Sequence, residues 1–123
     1  TLQWLVLDEL LPAGRIHPAP QHFRLHWLLP DWAWQISGHT LRLTEKNGAQ
    51  VSLELSADHG LPLEIQLVRA GQVIHGKPES LPTLGWVAPT YGVRQPALCL
   101  RASLVAPAPI QLQTRIKIAP EKQ

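Results

Sequence analysis

Apolar side chains recur at every second position along most of this chain, the period of strands that bury one face and wet the other. In HFRLHWL, Phe23, Leu25 and Trp27 fall on one face and His22, Arg24 and His26 on the other. TLRLTEKNGAQVSLELS repeats the pattern, with Leu41 and Leu43 before Asn47-Gly48 and Val51, Leu53 and Leu55 after it. Asn-Gly readily takes the positive φ angles of a tight turn, so this stretch predicts a hairpin. PLEIQLVRAGQVIHG predicts a second pair, with Leu63, Ile65 and Leu67 inward and the break at Ala70-Gly71. Further strands are expected in TLQWLVLDEL, over Pro96 to Val105, and over Ile110 to Ile118. In the last of these Ile110, Leu112, Thr114, Ile116 and Ile118 oppose Gln111, Gln113, Arg115 and Lys117. The connection from Asp8 to His22 carries three prolines and is expected to be an extended surface loop, and the tail APEKQ a frayed end.

These elements predict an all-β fold: an antiparallel, supersandwich-like β-sandwich of about eight to ten short strands, with no helix-period segment. At 123 residues the chain is expected to be one domain, 1–123, large enough for a single core. The 12 Pro and 8 Gly fit many short elements separated by turns. With Cys99 as the one cysteine no internal disulfide can form, so packing must hold the fold, and the compartment stays open.

The 11 basic residues are scattered singly and leave a net charge of only +2. Nucleic acid and anionic membrane surfaces call for a Lys/Arg cluster, so neither is an expected partner. No apolar run approaches the roughly 20 residues of a membrane span, and no signal-peptide pattern is present. Because the sequence starts at Thr1 inside a strand-like run, it reads as a piece of a longer protein.

Candidate chemistry is sparse. His22 and His26 would share one face of a helix, but in a strand four residues hold them about 13 Å apart, too far for one zinc ion. Surface or strand-pairing roles are expected for both, and polar loop positions for His17, His39, His59 and His75. Asp8 and Glu9 point to opposite faces, and no cysteine pair, HExxH motif or closely spaced carboxylate pair occurs. No metal site or cofactor is therefore expected. Cys99, inside ALCLRASL, reads as a small packed apolar group. The aromatics offer more. Trp27, Trp32 and Trp34 crowd into HWLLPDWAW, and LGWVAPTYGVRQPA holds Trp86, the only Tyr, Tyr91, and Arg94. Such rings either plug the edges of a sandwich or stack on sugar faces. The glycines around Trp86 and Tyr91 suggest a corner that feeds the final strands.

WLVLD at Trp4 to Asp8, HFRLHWLLPD at His22 to Asp31, LGWVAPTYGVRQPA at Leu84 to Ala97 and the closing QLQTRIKI strand stand in an order that resembles the C-terminal region of heparinase II/III-like proteins. The resemblance spans nearly the whole chain. It implies an upstream α/α-toroid domain in the same chain, as the partner of this sandwich, and a parent protein that cleaves uronic-acid polysaccharides, glycosaminoglycans among them, by β-elimination. In that family the principal Tyr and Asn come from the toroid, and a further His and metal ligands lie upstream of the WLVLD strand. No catalytic residue therefore carries over to this chain, and Tyr91, in a different motif, is not the family's catalytic tyrosine. The expected function is that of a non-catalytic or accessory domain, with Trp86, Tyr91 and Arg94 as candidate contacts to an acidic polysaccharide. A stand-alone carbohydrate-binding module and a purely structural domain are the alternatives.

Overall fold

The computed structural model describes residues 2–11 and 20–120. His17, the prolines at 12 and 18 and the last three residues of the APEKQ tail lie outside the described residues.

Among the described residues eleven strands form: β1 (Leu2–Leu10), β2 (Gln21–Leu29), β3 (Ala33–Ser37), β4 (Thr40–Thr44), β5 (Gln50–Ala57), β6 (Glu64–Arg69), β7 (Gln72–His75), β8 (Trp86–Thr90), β9 (Val93–Pro96), β10 (Leu98–Ala106) and β11 (Ile110–Ala119). They make antiparallel sheets of five, four and two strands, consistent with the expected β-sandwich. The count exceeds eight to ten because β3 adds a strand, and because the Trp86–Pro96 stretch folds into its own two-stranded ribbon, β8–β9, where a corner was expected. The loop expected from Asp8 to His22 is also shorter at both ends, since β1 runs to Leu10 and β2 begins at Gln21.

Chain contacts cluster into two compact units. The first contains the five-stranded sheet, in the order β1-β11-β5-β4-β3. β11 pairs with β1 along the whole of β1, from Leu2↔Ile118 to Leu10↔Ile110, and with β5 from Leu112↔Ala57 to Ala119↔Gln50. Alternation then decides the faces as the sequence predicts. Leu41, Leu43, Leu53, Leu55, Ile110, Leu112 and Thr114 are buried, while Arg42, Glu54 and Lys117 are exposed. The β4–β5 connection is looser than a two-residue turn. Glu45 N–H donates to the Ala49 carbonyl (2.8 Å) and Gly48 N–H to the Glu45 carbonyl (2.9 Å). Asn47 stays at negative φ and accepts the Ala49 N–H through Oδ1 at 3.0 Å.

The second unit holds the sheet β2-β10-β6-β7 and the β8–β9 ribbon. β2 shows the predicted alternation, with Phe23, Leu25 and Trp27 half-buried and His22, Arg24 and His26 exposed. The primed turn sits here, between Arg69 and Gln72: Ala70 (φ 50°) and Gly71 (φ 78°) both take positive φ. β10 breaks the alternation, because every residue from Leu98 to Leu104 is buried. One face carries Leu98, Leu100, Ala102 and Leu104. The other carries Cys99, Arg101 and Ser103, and the β7–β8 connection reaches that face at Arg101. His75, expected in a loop, instead ends β7.

Candidate functional site

The β7–β8 connection, residues 76–85, is irregular, so its polar groups need partners outside a sheet ladder. They find them on β6, β10 and the β6–β7 turn. Gln66 Nε2–H donates to the Lys77 carbonyl at 2.8 Å, and Arg101 donates through Nη1 to Glu79 Oε2 at 2.6 Å. Ala70 N–H and Gly71 N–H donate to the carbonyls of Gly85 and Leu84, both at 2.9 Å, and Ala97 N–H also reaches the Gly85 carbonyl at 2.9 Å. Gly85 is thus the knot where the connection enters the ribbon. It is buried at φ 81°, and a Cβ there would lie 2.8 Å from the Ala70 nitrogen and 2.9 Å from the Val68 carbonyl oxygen. Only glycine fits.

From that anchored base the ribbon projects its three candidate residues. Trp86 pairs with Pro96, and Arg94, two residues before Pro96, falls diagonally on the same face. The Arg94 guanidinium carbon lies 4.0 Å from the centroid of the Trp86 ring. Trp86 is half-buried and its indole N–H donates to the Pro82 carbonyl at 3.0 Å. The indole is therefore fixed at one edge and covered on one face by a cation, which holds the guanidinium in place. Tyr91 sits in the turn between Thr90 and Val93, with a relative exposure of 105%. The sequence-predicted trio therefore shares one hairpin, with Trp86 and Arg94 in contact and Tyr91 standing out at the tip.

Two ion pairs lie in the same unit. Arg69 grips Asp31 with two bonds of 2.7 Å, from Nε and Nη2, and these hydrogen bonds hold the Asp31 carboxyl below its ordinary range. Arg101, with its side chain 6% exposed, reaches a Glu79 that is 43% exposed, and its Nε–H has no acceptor among the described residues. Partial desolvation pushes the Glu79 carboxyl up, but the Arg101 charge and hydrogen bonds from Gln66 and Arg101 outweigh it and leave it below the ordinary value. His26 is exposed by area, yet desolvation, then Arg101, then Arg24 lower its pKa. Burial raises that of Cys99. Among the described residues no group of three or more His, Cys, Asp or Glu is placed to hold a metal ion, and no helix is long and apolar enough to cross a membrane.

Sequence reasoning missed a second constellation. Arg42, Arg115 and Lys117 are far apart along the chain, but register sets all three on the solvent face of the five-stranded sheet. With Ser37, Thr40, Ser52 and Glu54 they line an open groove of about 370 Å³. The alternation gave each residue its face, but only the pairing of β4, β5 and β11 brings them together. No protein-family model, curated protein or solved structure matches the chain.

Proposed function

We propose that this chain is the C-terminal, non-catalytic β-sandwich of a heparinase II/III-like polysaccharide lyase, and that it assists the parent protein by contacting saccharide through the β8–β9 ribbon. The observation that carries this reading is the state of Tyr91, an aromatic side chain held entirely in solvent at the tip of a hairpin whose base is tied down by five hydrogen bonds at Gly85, Leu84, Lys77 and Trp86. Packing gives no reason for a ring in that position, since it buries none of its surface. A phenol offers a ring face to a pyranose and an O–H to its hydroxyls, and the nearby Arg94 guanidinium offers paired donors to a uronate carboxylate. The order of the WLVLD, HFRLHWLLPD and LGWVAPTYGVRQPA motifs supplies the family part of the proposal.

The test is a titration of the chain with an oligogalacturonate, followed by tryptophan fluorescence, in which a saturable change is expected. Tyr91→Ala should weaken binding by about fivefold, the effect of losing an aromatic contact worth roughly 1 kcal/mol, while leaving the unfolding midpoint unchanged. Affinity unaltered in both Tyr91→Ala and Arg94→Ala would remove the ribbon from recognition. The chain alone is expected to release no unsaturated uronate, and the parent protein to release it.

A further inference from the structure

We infer that the solvent face of the five-stranded sheet is a second saccharide site, specific for an acidic oligosaccharide, built from Arg42, Ser52, Glu54, Arg115 and Lys117. It rests on the saccharide reading above for the class of its ligand, and on the register of the five-stranded sheet alone for its residues.

Antiparallel registers align side chains into ranks across a sheet. One rank here runs Gln35–Arg42–Ser52–Lys117–Gln3, and the next runs Ser37–Thr40–Glu54–Arg115–Leu5. Each crosses all five strands, about 19 Å at the usual strand spacing. In the first rank two cations flank a serine, with a carboxamide at either end. In the second a cation and a carboxylate sit side by side between hydroxyls and an exposed leucine. This is a mixture of fixed charge, groups that both donate and accept, and one apolar step. Hydroxyls, ring faces and occasional acid groups present the complementary mixture, and these are the surface of an acidic sugar chain.

Charge decides the sign of the ligand. The groove has three cations to one carboxylate, an excess of two, which equals the net charge of the entire chain. None of the three cations forms an ion pair or hydrogen bond with the described residues, whereas Arg69 and Arg101 elsewhere are each committed to a carboxylate. Spacing decides the density of that ligand. Arg42 and Lys117 stand two strands apart, about 10 Å, and Arg115 is about 7 Å along the strand from Lys117. Duplex nucleic acid places a charge roughly every 1.7 Å along its axis. Cations this sparse, with Glu54 among them, suit a chain bearing an acid group on every sugar or every second sugar.

The full chain titrated with an oligogalacturonate, and followed by amide chemical shifts, tests this. Shifts are expected at residues 40–42, 52–54 and 115–117. Arg42→Gln combined with Lys117→Gln should weaken binding by about fivefold, since exposed charge contacts contribute modestly. Glu54→Gln should strengthen it by about twofold, a gain that a folding defect cannot imitate. A neutral oligosaccharide of the same length should bind more weakly than the acidic one. The inference is overturned by unchanged affinity in the double variant, by weakening in Glu54→Gln, or by oligonucleotide or polyglutamate binding as tightly as the acidic sugar. Tyr91→Ala in the same titration separates the two proposals. Loss there with the groove variants unaffected sinks the groove and keeps the ribbon, and the converse keeps the groove and removes the ribbon.

Discussion

At the scale of single residues, the β7–β8 connection depends at both ends on positions where glycine alone satisfies the backbone. Gly76, where a Cβ would meet the Ile65 carbonyl oxygen, is the most crowded of these, and Gly85 comes next. Gly85 combines a left-handed φ of 81° with backbone atoms of Val68, Arg69 and Ala70 at or within 3.0 Å of where a side chain would begin. Its carbonyl also accepts two hydrogen bonds. Gly85→Ala must open that contact or surrender those bonds, and should cost about 2 kcal/mol or more in a urea titration. A cost within experimental error would mean that the ribbon base is not held as described. The contrasting case is Ala70, which accepts φ 50° despite its Cβ. Ala70→Gly should therefore be tolerated without loss. The sequence announces the Gly85 position only as a glycine before a tryptophan, since the crowding comes from residues fifteen or more positions earlier. The fully buried leucines, by contrast, were legible one by one. Leu41, Leu43, Leu53, Leu55 and Leu67 are all at most 2% exposed and all stand at alternate positions in runs bounded by turn residues.

Strands follow the same logic until something other than a sheet covers their outer face. β2, β4, β5 and β11 keep the pattern visible in their sequences, because one face of each meets water. β10 does not, and LCLRAS reads as an apolar strand with one arginine out of place. The arginine is explained by the β7–β8 connection, which delivers the Glu79 carboxylate to it. A buried guanidinium that loses its carboxylate partner keeps its desolvation cost, whereas an apolar side chain of similar length has none. Glu79→Ala should therefore lower the unfolding midpoint by more than the double change of Arg101→Met with Glu79→Ala. It should also speed amide exchange along β8 and β9, because Glu79 helps to anchor the connection that leads into them. A double variant that loses as much as Glu79→Ala and Arg101→Met lose separately, added together, would show that the pair carries no coupling. The ribbon was hidden from sequence reasoning for a related reason. WVAPT and VRQP are short, contain proline and are exposed throughout β9, so they carry no periodic signal, and only their pairing with each other makes them strands. The three candidate residues on the strands and their turn were nonetheless legible, through their chemistry rather than their period.

For the whole molecule, these local environments combine into a pH dependence of stability with two limbs. His26 titrates below its ordinary 6.5 in the folded chain, owing first to desolvation and then to Arg101 on β10 and Arg24 on its own strand. Between the folded and unfolded values the unfolded chain binds more protons, so stability is complete above about pH 6.5 and declines as pH falls through the folded value. Asp31 and Glu79, lowered from 3.8 and 4.5, act in the same direction at lower pH, where their contacts with Arg69 and Arg101 are lost on protonation. Cys99 has the opposite effect. Burial raises its pKa above 9.0, so the unfolded chain gives up its proton first and stability falls as pH rises past that value. A plateau between about pH 6.5 and 9 is expected, with a two-step decline on the acid side. Chemical denaturation across that range measures it. His26→Gln should remove the upper acid step and leave the lower one, and Cys99→Ala should flatten the alkaline limb even though it also lowers stability at every pH. If the upper acid step survives in His26→Gln, the proton responsible belongs to another group and the positive surroundings of His26 are not felt by the fold. Since Arg101 contributes both to that step and to the pair with Glu79, Arg101→Met should shrink the upper and lower acid steps together, a coupling that independent surface titrations would not produce.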